Sequence, residues 1–93
     1  MDHQHTKISG YRNLSQEEID LMNRIKAFGP ELEKLIGELS AHLVNQDRES
    51  LASDSEMTRL HQADPFTWLN EGRVSMQQGL MFLTRSIAQP TFF

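Results

Sequence analysis

Apolar residues recur through the first half of the chain at helical rather than strand spacing. Met22, Ile25, Gly29, Leu32, Ile36, Leu39 and Leu43 are separated alternately by three and four positions, the spacing of a heptad seam along one side of a helix. Ser15-Gln16-Glu17-Glu18 stands just ahead of the seam and has the form of a capping box. In such a box the serine hydroxyl accepts from the amide three residues on, and the glutamate reaches back to the serine amide. Leu14 and Ile19 are placed to form a hydrophobic staple around it. These signals predict a helix over 15–45, with a kink near Gly29-Pro30, because the seam keeps its register across a proline that removes one backbone bond. Two nearly coaxial helices would also satisfy the pattern.

After Asn45 the apolar period dissolves, and residues 46–64 are expected to form a connection. Ser53-Asp54-Ser55-Glu56 offers a second capping box before Met57 and Leu60, which places a short helix inside it. Asp64-Pro65 then supplies an N-cap and a first-turn proline. The next seam runs Phe66, Leu69, Arg73, Met76, Leu80, Leu83 and Ile87, until Pro90 stops it, predicting a helix over 65–89. Residues 1–14 show neither helical nor strand period and are expected to be an arm. The expected fold is all-α, a single helical domain over 1–93 built on two long antiparallel helices.

The apolar surface exceeds what such a hairpin can cover. Leu21, Phe28 and Leu35 form a second row on the first helix, and Trp68, Met81, Phe82, Phe92 and Phe93 lie outside the main seam of the last one. An oligomer is therefore expected, in which neighbouring copies bury what one copy exposes.

Composition narrows the function. With no cysteine among 93 residues, disulfides, thiolate nucleophiles and cysteine zinc sites are excluded. Nine Lys and Arg against thirteen Asp and Glu give a net charge of -4, which argues against a broad basic surface for nucleic-acid polymers. The longest apolar run, Leu80-Met81-Phe82-Leu83, is far short of the roughly 18 residues of a spanning helix. No secretory h-region follows Met1, so no membrane partner and a cytoplasmic location are expected.

Enzymatic chemistry finds no support in the motifs. HExxH, a phosphate-binding glycine loop and a Gly-x-Ser-x-Gly elbow are all missing from the sequence, and no cofactor is expected. His3 and His5 have a chelating spacing but no further ligands nearby, while His42 and His61 are isolated. Arg73 occupies a seam position, where it can set register, extend its head to a rim or meet a ligand. Arg85 complements the negative end of the last helix. Tyr11 can pack its arm or present a π-face, and Lys26 flanks the seam where lysines commonly cover apolar surface with the head in water.

Two blocks carry a resemblance to a known family. Ile8-Ser9-Gly10-Tyr11-Arg12-Asn13-Leu14-Ser15-Gln16-Glu17-Glu18-Ile19, continuing through Met22-Asn23-Arg24-Ile25-Lys26, and Gln78-Gly79-Leu80-Met81-Phe82-Leu83-Thr84-Arg85-Ser86-Ile87-Ala88-Gln89-Pro90 resemble the phage cyclic-oligonucleotide sponges called anti-CBASS protein type 2. The resemblance implies an interlocked homohexamer that binds and sequesters cyclic dinucleotides such as 3′,3′-cGAMP without cleaving them. It thereby blocks CBASS anti-phage signalling in the cytoplasm of the infected bacterium. It carries the dinucleotide site onto Tyr11 and Lys26, with Gly10 and Arg12 beside them. A second site for cyclic trinucleotides falls near Thr67, Arg73 and Arg85, with Thr67 standing before Trp68 where relatives often carry a basic residue. The rivals are a helical oligomerisation module with no nucleotide ligand and a phosphodiesterase, the latter lacking any metal or nucleophile constellation.

Overall fold

The computed structural model describes residues 12–92, and these form three helices: α1 Gln16–Ser50, α2 Asp54–Ala63 and α3 Pro65–Ala88. No strand occurs among the described residues, so the all-α expectation holds for them. The expected arm up to Tyr11, including Gly10, His3 and His5, and the terminal Phe93 lie outside the described residues.

The capping box at the start of α1 forms in both directions. The Glu18 amide donates to the Ser15 hydroxyl at 3.1 Å, and the Ser15 amide donates to a Glu18 carboxylate oxygen at 2.9 Å. Two of the helix's orphan donors are thereby satisfied by local sequence alone. Pro30 lies inside α1, where it removes the amide that would otherwise pair with the Lys26 carbonyl.

α1 continues to Ser50, beyond the end expected at Asn45. The polar run Gln46-Asp47-Arg48-Glu49 consists mainly of good helix formers, and its polarity marks solvent-facing positions rather than a break. Ser50 is buried, and its hydroxyl donates to the Asp47 carbonyl at 2.6 Å. The connection between α1 and α2 is thus only Leu51–Ser53, closed by the Ser53 amide on the Ser50 carbonyl at 3.0 Å.

Ser53 caps α2 by accepting from the Glu56 amide at 3.3 Å. The second capping box is only half made, because the Glu56 carboxylate turns outward to Arg59, at 2.9 Å from Nε. Asp64 stands directly before α3, where its N-cap is expected, and serves α2 as well. Its φ of 49° and ψ of 55° are left-handed, and its amide donates to the Leu60 carbonyl at 2.9 Å, so it closes α2. Its own carbonyl accepts the Thr67 amide at 3.2 Å, and Pro65 opens α3 directly. Gln89 ends α3 in the same manner, with a φ of 51° and its amide on the Arg85 carbonyl at 2.8 Å.

The chain divides into two compact units: the part up to Gly29 together with the part from Gln77, and Pro30–Met76. In the first, Ile19, Met22 and Ile25 of α1 and Leu80, Thr84 and Ile87 of α3 are half-buried. In the second, Leu32, Ile36, Ser40 and Leu43 of α1 and Leu69 and Val74 of α3 are half-buried, and Leu60 of α2 is buried.

The covered stripe follows the heptad seam only in part. Leu39 is 43% exposed while its neighbour Ser40 is covered, and in α3 Val74 is covered in place of Arg73 and Met76. A helix of 3.6 residues per turn drifts about 20° per heptad from a strict 3.5 repeat, so a seam counted in sevens leaves the contact face within a few turns.

Candidate functional site

Of the four residues expected around the dinucleotide, Tyr11 and Gly10 lie outside the described residues, while Arg12 and Lys26 belong to the first unit. Lys26 is exposed on α1, one turn before Pro30. Its neighbours three and four positions away are Met22, Asn23, Gly29 and Pro30, none acidic. Lys34, by contrast, has Glu31 and Glu38 at those spacings, and Arg24 has Asp20. The Lys26 charge is therefore not offset by a carboxylate three or four positions away on its own helix.

Arg12 is placed very differently. Its Nη2 donates to one Glu18 carboxylate oxygen and, at 2.8 Å, to the Ile87 carbonyl in the last turn of α3. Nη1 donates to the other Glu18 oxygen at 3.2 Å. The two side chains keep 36% and 25% of their exposure, so the pair sits at a rim. The guanidinium and the Ser15 amide hold the Glu18 carboxyl down to about 2, and Glu18 in turn raises Arg12 further above its already high value. Sequence reasoning recognised Glu18 as a cap but missed it as the partner of Arg12. No periodic signal links positions six apart, nor could one reveal a carbonyl 75 positions away.

Of the residues assigned to a second site, Thr67 and Arg73 belong to the second unit and Arg85 to the first. Thr67 is exposed in the first turn of α3, and Arg73 donates to Asn70 Oδ1 at 2.9 Å. Six helical positions separate them, about 9 Å along the axis and some 240° around it, so they occupy different faces. Arg85 belongs to the other unit, where its Nη2 donates to the Phe92 carbonyl at 3.3 Å.

An open groove of about 520 Å³ lies in the second unit, lined by Leu43, Asp47, Leu51, Met57, His61 and Phe66 among others. Of the sequence-assigned site residues that are described, none lines it. His42 and His61 are exposed, and no cluster of three potential metal ligands occurs among the described residues. No helix of the described residues is long and apolar enough to cross a membrane.

Comparison with known proteins shows the family of the chain. Residues 6–88 match the family described as Acb2/Tad1, hairpin domain. The chain belongs to the Acb2/Tad1 hairpin family. Anti-CBASS protein 2 of Pseudomonas phage JBD67 is 43% identical over an alignment of 105 residues that covers 97% of each chain. The Acb2/Tad1 hairpin match spans every residue assigned to either site, from Gly10 to Arg85, and includes both Arg12–Glu18 and Ile87.

Proposed function

We propose that this chain sequesters cyclic oligonucleotide messengers, cyclic dinucleotides such as 3′,3′-cGAMP first among them, without cleaving them, and so blocks CBASS signalling in the infected bacterium. The observation that carries this is the 43% identity, over 97% of both chains, to a phage protein named Anti-CBASS protein 2. The working form is an interlocked homohexamer. Supporting it is the exposure of large apolar side chains in both units: Phe28, Met81 and Phe82 in one, Leu51 and Trp68 in the other, each at least 60% exposed. Water-exposed area of that kind, spread over several helix faces, is what subunit contacts cover.

Tyr11 and Lys26 supply the dinucleotide site. A purine stacked on the Tyr11 ring gains about 1–3 kcal/mol in single-strand binders, and Lys26, without an acidic neighbour on its helix, meets a phosphodiester. A cyclic dinucleotide has approximate two-fold symmetry, so an isologous contact presenting one tyrosine and one lysine from each copy addresses both bases and both phosphates. Thr67, Arg73 and Arg85 make a cyclic-trinucleotide site only when several copies converge.

Calorimetric titration with 3′,3′-cGAMP at known oligomer mass tests the assignment. The expected stoichiometry is one ligand per two chains, lost in Tyr11→Ala with mass and helicity unchanged, and intact nucleotide is recovered after denaturing the complex. Absence of heat with any cyclic di- or trinucleotide leaves a helical assembly module, and recovery of linear product makes the protein a phosphodiesterase.

A further inference from the structure

We propose that Arg12 is a positioning residue, not a phosphate ligand: next in sequence to Tyr11, it anchors the chain leading into α1 to Glu18 at the start of that helix and to Ile87 at the end of α3. This rests on the assignment of Tyr11 to the ligand site. Three observations carry it.

First, the Arg12 fork is already occupied. Both terminal nitrogens are bound to Glu18 and one also to the Ile87 carbonyl, while Nε is buried, with no acceptor among the described residues. An incoming phosphate would have to displace a carboxylate in bidentate contact.

Second, the acceptors are those that a helix end leaves open. Ile87 is in the last turn of α3, whose carbonyls have no amide ahead of them. The Arg12 cation therefore meets the negative end of α3, while its partner Glu18 sits at the positive end of α1, so both charges oppose the dipole they touch.

Third, the planar guanidinium can serve three acceptors at once, where an ammonium cannot hold the same fork. The contact bridges 75 positions of chain, and Tyr11 is the next residue in sequence. A fixed anchor at Arg12 leaves fewer residues to be ordered when a ligand is bound next to it, and binding then costs less ordering entropy.

Glu18→Gln, Arg12→Lys and the wild-type chain decide the matter. Glutamine still completes a capping box, so α1 keeps its start. Affinity for 3′,3′-cGAMP should fall on the order of tenfold in Glu18→Gln, with oligomer mass unchanged. Arg12→Lys, which keeps the charge but loses the fork, should fall as far. Trypsin should cut between Arg12 and Asn13 severalfold faster in Glu18→Gln than in wild type, in the absence of ligand. Equal or tighter binding by Glu18→Gln, as a released phosphate-binding arginine would give, overturns the proposal. A wild-type chain that binds no cyclic nucleotide removes the ligand assignment instead; the trypsin comparison then still decides the docking, and equal cleavage rates overturn it.

Discussion

Leu60 is the one buried apolar residue among those described, at 8% exposure, and it belongs to the second unit. Leu60→Ala deletes three carbon groups at about 0.8 kcal/mol each, or roughly 2 kcal/mol after allowing for the exposed fraction. The adjoining groove is open to water, so the extra cavity penalty seen in closed cores should be small. For a domain of this size each kcal/mol moves the midpoint by about 4–8 °C, giving an expected loss of about 8–16 °C. Leu51, on the rim of the same groove and 69% exposed, provides the control. The same truncation there removes roughly 0.7 kcal/mol on its own chain, or about 3–6 °C. Both variants should be melted by far-ultraviolet circular dichroism at one protomer concentration, since assembly makes the midpoint concentration-dependent. A loss below about 4 °C for Leu60→Ala refutes its burial in the unit. Equal losses at Leu51 and Leu60 would mean that another copy covers Leu51.

The carboxyl of Glu18, held at about 2, contributes stability that is complete above the ordinary carboxylate range and is lost as the pH falls through its own folded value. An NMR titration should therefore show a Glu18 midpoint near 2 with the Arg12 contact retained at pH 4; a midpoint in the usual range would contradict the ion pair. Ser53→Ala removes the α2 cap and should cost about 1 kcal/mol, read as a fall of a few degrees in the melting midpoint. Trp68 is 69% exposed on its own chain, and iodide should quench it less at concentrations where the oligomer forms than after dilution. Quenching that ignores concentration would place Trp68 outside the subunit contacts.

Local chemistry was legible where a signal and its partner lie within one turn. Ser15 and Glu18 show this most clearly, since the box inferred from four residues forms with both of its bonds. Legibility declined wherever the outcome depended on a competing partner. The second box lost its return bond because Arg59 offered Glu56 a charged donor. Asp64 became the end of α2 because its amide found the Leu60 carbonyl. The polar stretch after Asn45 concealed more than a turn of α1, since polarity reports solvent contact and not helix breaking. For the candidate site, sequence likeness pointed to Tyr11 and Lys26, but the role of Arg12 depends on a contact with Ile87 that no spacing rule reaches.

The single residue between α2 and α3 has an evolutionary consequence. Asp64 alone joins Ala63 to Pro65, with a left-handed backbone on one side and a ring-locked one on the other. Adding one residue to a helix end next to it would turn everything beyond by about 100° and carry the half-buried Leu69 and Val74 off the covered side of α3. The joint can accept new side chains, glycine and asparagine most readily, but not a new length. The 105-position alignment with the phage JBD67 protein exceeds the 93 residues here, so it contains gaps. The exposed turn at Leu51–Ser53 is where such gaps can accumulate without displacing a helix.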